Sequence, residues 1–266
     1  MPRSYGSVVW WKTLAVLMWR HFRKSDPSAG LRIVQAASHV FCPEYRFSEH
    51  QLDWYRDKSF NAYLDRFNEQ DKLNSARRWM VRELLRATVT VPGDTAECGV
   101  FEGATSWLVC ESNAGSPKVH HIFDSFEGLS EPGPGDGTYW TRGGLACSED
   151  AVRRNLAQFE AVRYYKGWIP TRFADVADKV FSFVHIDVDL EAPTADSFAF
   201  FYPRMSPGGI VICDDYGFDS CPGATRALDD FLADKPERVL SMPAGGGFII
   251  KGMTIQPSTA PHEPRR

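Results

Sequence analysis

The chain has 266 residues, 43% of them apolar and 24% charged, with a formal net charge of −4. That length holds one large α/β domain with an appendage, or two small domains. The charge gives no global attraction to nucleic acid or anionic membrane, and no apolar run reaches the roughly 20 residues that a bilayer crossing needs. Six cysteines stand at 42, 98, 110, 147, 213 and 221 with no C-x-x-C pair. Neither a zinc site nor a disulfide framework is suggested. Cys98, Cys110 and Cys213 lie in apolar surroundings and read as buried reduced thiols, which favours the cytoplasm.

Residues 1–90 are rich in aromatic and charged side chains and poor in β-branched runs, and read as a helical N-terminal appendage, a substrate lid or an oligomer contact. Val8 to Trp19 is apolar but interrupted by Lys12, and Arg20, His21, Arg23 and Lys24 follow it instead of a small-residue cleavage site. It reads as an amphipathic helix packed on the body or on a second copy of the chain; contact with a membrane surface is the alternative. Gln51 to Phe67 reads as helical. Asn74 to Ala87 is the clearest helix, with Asn74 as cap and Met80, Leu84 and Ala87 on the inward face, the arginines 77, 78, 82 and 86 lying elsewhere.

From Asp94 the chain alternates between strands and helices. Strands are expected at 95–100, 119–123, 162–165, 183–188 and 209–213, and a terminal hairpin at 238–241 and 247–251. Helices are expected at 103–110, from Ser148, at 171–178, from Thr194 and around 224–231. This alternation makes a doubly wound parallel sheet, to which the hairpin adds an antiparallel strand. Glu127 to Cys147 is Gly- and Pro-rich and too long for a plain connector, so it reads as a lid or binding loop, with Tyr139, Trp140 and Arg142 as candidates to cap a substrate. The domain body is 91–253, and 254–266 read as a disordered tail.

Phe183-Val184-His185-Ile186-Asp187-Val188-Asp189 is an apolar strand running into two carboxylates, and Ile210-Val211-Ile212-Cys213-Asp214-Asp215 repeats the pattern. Adjacent strands ending this way bring four carboxylates to one edge, where they repel unless a cation lies among them; a hard divalent ion is the candidate. At the first strand end, Glu97-Cys98-Gly99-Val100-Phe101-Glu102-Gly103 lacks both the GxGxxG and the Gly-Lys-Ser/Thr signatures, which disfavours a dinucleotide or a P-loop nucleotide. The two glycines fit either a plain tight turn or close approach of a ligand. Asp124, ending the second strand, fits either a turn residue or a ribose acceptor. Together Glu97, Gly99, Gly103 and Asp124 suit a cationic nucleoside without pyrophosphate, as in S-adenosylmethionine.

The ordered set Glu97-Cys98-Gly99-Val100-Phe101-Glu102-Gly103, Phe123-Asp124-Ser125-Phe126-Glu127-Gly128, Lys166-Gly167-Trp168-Ile169-Pro170, His185-Ile186-Asp187-Val188-Asp189-Leu190, Tyr202-Pro203-Arg204-Met205-Ser206-Pro207-Gly208-Gly209, Asp214-Asp215-Tyr216 and Cys221-Pro222-Gly223 resembles the macrocin O-methyltransferase family over residues 94–252. The resemblance implies a Rossmann-like class I methyltransferase sheet of seven strands, the last antiparallel. It implies methyl transfer from S-adenosylmethionine to a hydroxyl of a small metabolite, a sugar or phenolic natural product, with Mg²⁺ held by Asp187, Asp214 and Asp215. It makes Asp189 the general base and puts Glu97, Gly99, Gly103, Asp124, Ser125, Trp168 and Asp187 on the cofactor side. Glu191-Ala192-Pro193 departs from the Tyr-Glu-Ser type of run common in the family. His185, on the face of Asp187 and Asp189 if strand alternation holds, is read either as a hydrogen-bonded structural residue or as an auxiliary or orienting group. The competing readings are a metal-dependent hydrolase, which leaves Glu97 and Asp124 without a task, and a non-catalytic nucleoside-binding protein. No basic stripe supports nucleic acid as a partner.

Overall fold

The computed structural model describes residues 8–25, 27–41 and 53–255, which divide into two compact units after Asp57. In the smaller unit, helices α1 (Val8–Lys24) and α2 (Pro27–Phe41) pack on one another, and a single turn α3 (Asp53–Arg56) follows. Gly30 permits close packing, since a Cβ there would stand 2.9 Å from His21 Nδ1. Leu17 and Ala29 are buried, whereas Trp11, Trp19 and Phe22 are each more than half exposed. No helix among the described residues is long and apolar enough to cross a membrane.

The larger unit starts at Lys58, ahead of the boundary near residue 90 that composition suggested. Its first helix, α4 (Lys58–Phe67), buries Phe60, Tyr63, Leu64 and Phe67 at helical spacing. Tyr63 Oη donates to Ala104 O at 3.1 Å. α5 (Ser75–Ala87) is where expected, but its inward stripe is Arg78, Val81 and Leu85. Met80 and Leu84 are only half-buried and Ala87 is exposed. The helix is turned from the expected face because Arg78 goes inward, where Glu69 Oε2 and Thr105 Oγ1 each accept from it at 2.7 Å. Asn74 occupies the cap position without a side-chain capping bond; its amide oxygen accepts from Arg77 instead.

The remaining elements alternate: β1 (Asp94–Cys98), α6 (Ala104–Asn113), β2 (His120–Asp124), α7 (Glu149–Asn155), β3 (Val162–Lys166), β4 (Phe181–Ile186), α8 (Glu191–Phe201), β5 (Met205–Cys213), α9 (Pro222–Leu232), β6 (Leu240–Ser241) and β7 (Gly247–Ile250). The stretch expected as a helix at 171–178 is a 3₁₀ turn, Phe173–Val176. Ser148 caps α7 as expected, accepting from Ala151 N. The seven strands found among the described residues form one sheet in the order β3-β2-β1-β4-β5-β7-β6. β7 is antiparallel to both neighbours, and the other pairings are parallel. The central strands are buried on both faces, which explains why all six residues of β4 are buried, Ser182 and His185 included.

Under the sheet, Phe201 meets Phe123, Phe173, Phe181 and Phe200 with ring centroids 5.0–5.8 Å apart. Phe123 stacks on Tyr165 at 4.6 Å. Cys98, Cys110 and Cys213 are buried free thiols. Cys42 and residues 256–266 of the expected tail lie outside the described residues. Strand order reverses between β1 and β4, and such a switch point opens a crevice at the carboxyl ends of the strands.

Candidate active site

Parallel register aligns the strand ends. Glu97 sits beside His185, and His185 beside Ile212. The next amides continue the ladder: Asp187 N donates to Cys98 O and Asp214 N to Ile186 O, both at 2.9 Å. The carboxylates that follow β4 and β5 are thereby delivered to one edge. A cavity of about 580 Å³ opens there, lined by Glu97, Gly99, Asp124, Ser125, Trp168, Asp187, Asp189, Asp214 and Asp215 among others. Gly103 does not line it. With φ of +88° it makes the turn into α6, and a Cβ there would face Val152 and Leu156.

On the β1–β2 side, both oxygens of Asp124 are oriented by backbone. Oδ2 accepts from Val100 N at 2.7 Å and Oδ1 from Phe126 N at 2.6 Å. Burial nevertheless pushes this carboxyl above its ordinary range. Ser125 closes the loop, donating to Gly128 O at 2.9 Å and accepting from Glu127 N at 3.0 Å. Glu97 is buried and accepts from Ser106 Oγ. Burial alone would raise its carboxyl, but His120 and His185 alongside hold it down at about 2. His120, Ser106, Thr95 and Asn113 continue this buried chain through contacts of 2.8–3.0 Å.

His185 lies between the two halves of the site. Its Nδ1 is 3.4 Å from Glu97 Oε1, within charge attraction but not aligned as a hydrogen bond, and its Nε2 is 3.4 Å from Asp214 Oδ1. Burial would lower its pKa, yet Asp214 and Glu97 raise it to about 10. The two carboxylates thus favour the protonated form of His185.

The four aspartates differ in what holds them. Asp214 Oδ2 accepts from Arg77 Nη1 at 2.5 Å, and Arg78 Nη1 is 4.0 Å from Oδ1. Against a burial effect that would raise it, Arg77 and His185 hold Asp214 well below the carboxylate range. Asp215 Oδ2 accepts from Val188 N at 3.2 Å and Asp189 N at 2.8 Å. Asp189 has φ of +59° at the centre of a tight turn closed by Leu190 N donating to Val188 O at 2.6 Å. Burial and the charges of Asp214 and Asp215 push Asp187 up to about 8. Burial and Asp187 push Asp189 up to about 7. Burial, Asp189 and Asp214 raise Asp215.

Among the described residues, ligand atoms of His185, Asp187 and Asp214 come within 4.8 Å of one another, as do those of Asp189, Asp215 and Cys221. The trio Asp187, Asp214 and Asp215 is therefore divided between the two groups. Cys221 Sγ is 3.6 Å from Asp189 Oδ1 and 3.7 Å from Asp215 Oδ1, and accepts from Trp140 Nε1 at 3.2 Å. The 127–147 loop contributes Gly128, Leu129, Ser130, Trp140 and Leu145 to the cavity wall, while Tyr139 and Arg142 are exposed. Asp136 pins it: Oδ1 accepts from Glu191 N and Oδ2 from Gly133 N, both at 2.7 Å, so a remote loop residue serves the start of α8.

Residues 71–239, more than half of the chain, match the family model described as macrocin O-methyltransferase (TylF). The chain belongs to the macrocin O-methyltransferase family. It is 31% identical over 150 residues to the 8-demethyl-8-(2,3-dimethoxy-alpha-L-rhamnosyl)-tetracenomycin-C 4'-O-methyltransferase of Streptomyces olivaceus, covering 51% of this chain and 58% of that enzyme. It is 29% identical over 202 residues to the demethyldecarbamoylnovobiocin O-methyltransferase of Streptomyces niveus, covering 69% of this chain and 76% of that one. The solved structure of the O-methyltransferase NovP superposes with a TM-score of 0.57 at 27% identity, covering 66% of this chain and 79% of that one. The fold extends to the calicheamicin methyltransferase CalS11, with a TM-score of 0.59 at 16% identity over 94% of this chain and 95% of that one. The macrocin O-methyltransferase match begins inside the larger unit, ahead of α5.

Arg77, Arg78, Glu69 and Thr105 also line the cavity. Their one sequence signal was Arg77-Arg78 beside an apolar stripe, a pattern that solvent-facing residues share.

Proposed function

We propose that this macrocin O-methyltransferase family member transfers a methyl group from S-adenosylmethionine to a hydroxyl of a small natural product, with Mg²⁺ as a second cofactor. The observation that carries this reading is the opening of four strand-end aspartates into the same cavity as Glu97 and Asp124. The naming of the Streptomyces olivaceus relative for a rhamnosyl-bearing tetracenomycin favours a sugar hydroxyl over a phenol. The buried free thiols favour the cytoplasm as its setting.

The donor chemistry suits both groups, with the three metal-side aspartates divided between two ligand groups as placed. Glu97 and the backbone-oriented Asp124 are anionic acceptors for an ammonium and a ribose, on a wall completed by Gly99, Ser125 and the half-buried Trp168. Asp187 and Asp215, raised by burial and by one another's neighbours, form an anionic cluster that a hard cation would relieve, and with Asp214 they supply the oxygen donors that Mg²⁺ takes. When bound, S-adenosylmethionine supplies an electrophilic methyl group and Mg²⁺ a charge that acidifies a nearby hydroxyl.

The chain's own residues supply the rest. Asp189 accepts the hydroxyl proton; burial and Asp187 raise its carboxyl above the ordinary range, in the direction a base needs. Asp215 fixes the turn that aims Asp189. His120 with His185 keeps Glu97 ionised, and Arg77 with His185 keeps Asp214 so, in a site where burial opposes it. Trp140 and the loop around it exclude solvent from one side.

The test is a screen of glycosylated and phenolic metabolites with methyl-labelled cofactor, with and without Mg²⁺, beside calorimetric titration of S-adenosylhomocysteine. Labelled product that depends on Mg²⁺ is expected. Absence of S-adenosylhomocysteine binding would overturn the reading in favour of another use of the carboxylates.

A further inference from the structure

Among the described residues, every ion pair made by the four strand-end aspartates falls on Asp214: Arg77 at 2.5 Å, His185 at 3.4 Å and Arg78 at 4.0 Å. Asp187, Asp189 and Asp215 have no ion pair among the described residues. The three cations are not equivalent. His185 and Arg78 are buried and held on Oδ1, the latter tied to Glu69 and Thr105. Arg77 is alone on Oδ2 and is half-buried; like Arg78 it lines the cavity.

Arg77 is nevertheless placed by more than attraction. Its second terminal nitrogen donates to Asn74 Oδ1, and its guanidinium lies 5.1 Å from the centroid of the Phe218 ring. That ring is seated on Gly245, where a Cβ would come within 2.0 Å of Phe218 Cζ. Asn74 ahead of α5, the Phe218 platform and Asp214 together form a built seat for one guanidinium on the cavity wall.

Resting on the Mg²⁺ reading above, we infer that Arg77 competes with the divalent cation for Asp214 Oδ2. One carboxylate oxygen cannot hold a guanidinium and a divalent ion together without placing like charges at contact range. Arg77 is then a built-in counter-ion that balances Asp214 while the cation is away. Cation entry and release of Arg77 into the cavity are one event. The chain thereby lowers its own affinity for the ion, and keeps Oδ2 of the buried Asp214 paired as well as Oδ1.

The test is titration of Mn²⁺ into the purified full chain, with binding read by calorimetry and by the electron paramagnetic resonance signal of free Mn²⁺. Arg77→Gln, which keeps a hydrogen-bonding amide but no charge, is expected to bind Mn²⁺ at least about tenfold more tightly than wild type. Arg77→Lys keeps the charge and is expected to stay within about threefold of wild type. Arg82→Gln, on the same helix beside Phe60 and Trp79, is expected to change nothing. Unchanged or weaker binding by Arg77→Gln overturns competition and makes Arg77 a support of the site. Tight binding by Arg77→Lys as well overturns charge as the cause, and this variant decides the matter if Arg77→Gln melts below the assay temperature. If no variant binds Mn²⁺ while S-adenosylhomocysteine still binds, the cation reading falls along with the competition, and the methyl-transfer reading stands.

Discussion

The carboxylate of Asp215 accepts the backbone N–H of Asp189 at 2.8 Å, so one member of the acidic cluster sets the backbone of another. Asp189 is held with φ of +59°, a conformation that Asn and Asp tolerate better than other non-glycine residues. Asp189→Asn is therefore expected to fold normally and to bind S-adenosylhomocysteine as wild type does. It should lose turnover by about 10²–10⁴-fold, the usual worth of a positioned base. Single-turnover kinetics with labelled cofactor, alongside calorimetry, check both halves of the statement. Wild-type rates in this variant would remove Asp189 as base.

The raised carboxyls would give the proposed cation a pH signature. A carboxyl whose folded pKa lies above its unfolded value contributes stability below the unfolded value, near 3.8, and loses it as pH rises through the folded one. For Asp187 and Asp189 that loss runs up to about 7–8. A cation that binds the ionised forms opposes it. The gain in melting temperature on adding Mg²⁺ is expected to be larger at pH 8.5 than at pH 6, as measured by scanning calorimetry at fixed ionic strength. Equal gains at both values would mean that the ion binds elsewhere.

Glu97 works in the opposite direction. Its carboxyl is held down from 4.5 to about 2, so its contribution to stability is present above 4.5 and lost as pH falls through 2. That shift corresponds to about 3 kcal/mol. Urea unfolding of wild type between pH 6 and pH 2.5 should lose most of that amount relative to Glu97→Gln. His120, kept below its ordinary value by burial against the pull of Glu97, adds an acid-side loss of its own, larger in Glu97→Gln, which works against the difference sought. Parallel profiles for the two would show that the histidines do not stabilise the Glu97 charge.

The 127–147 loop is fastened by Asp136. Its two oxygens take the N–H groups of Glu191 and Gly133, and Arg226 Nη2 donates to Gly135 O at 2.5 Å and to Glu191 Oε2 at 2.7 Å. Asp136→Ala leaves a helix-start N–H without its acceptor and is expected to cost about 1.5–3 kcal/mol. Limited proteolysis should then cut within this loop before the rest of the larger unit. Cutting at wild-type rates would show that the loop is held by its other contacts.

Local pattern carried the sheet and the acidic edge. Apolar runs ending in Asp187 and Asp214 are legible because a doubly buried strand has one appearance, and its carboxyl end has one destination. What stayed hidden was decided by partners far along the chain. Arg78 reads as a solvent residue until Glu69, Thr105 and Asp214 surround it, and Arg77 meets Asp214 across 137 positions. An arginine can be inside only if its counter-charges are, and no window of sequence contains them. Gly103 shows the reverse: a glycine in a motif next to a ligand-facing one serves the packing of α6 on Val152 and Leu156. The helices 58–87 look like an appendage by composition because their buried surface is aromatic and ionic, yet they belong to the larger unit.

Gly99 has φ of +78°, and a Cβ on it would lie 1.8 Å from the carbonyl oxygen of Asp187. The spacing between the Glu97 side and the aspartate side of the cavity is therefore fixed by main chain touching main chain, with no side chain available to act as a shim. Retuning this protein for a bulkier or slimmer acceptor cannot proceed by prising those two strand ends apart. The adjustable part of the lining is the 127–147 loop at Leu129, where side-chain volume can change without moving those two strand ends, whereas Trp140 is tied through Cys221 to Asp189 and Asp215.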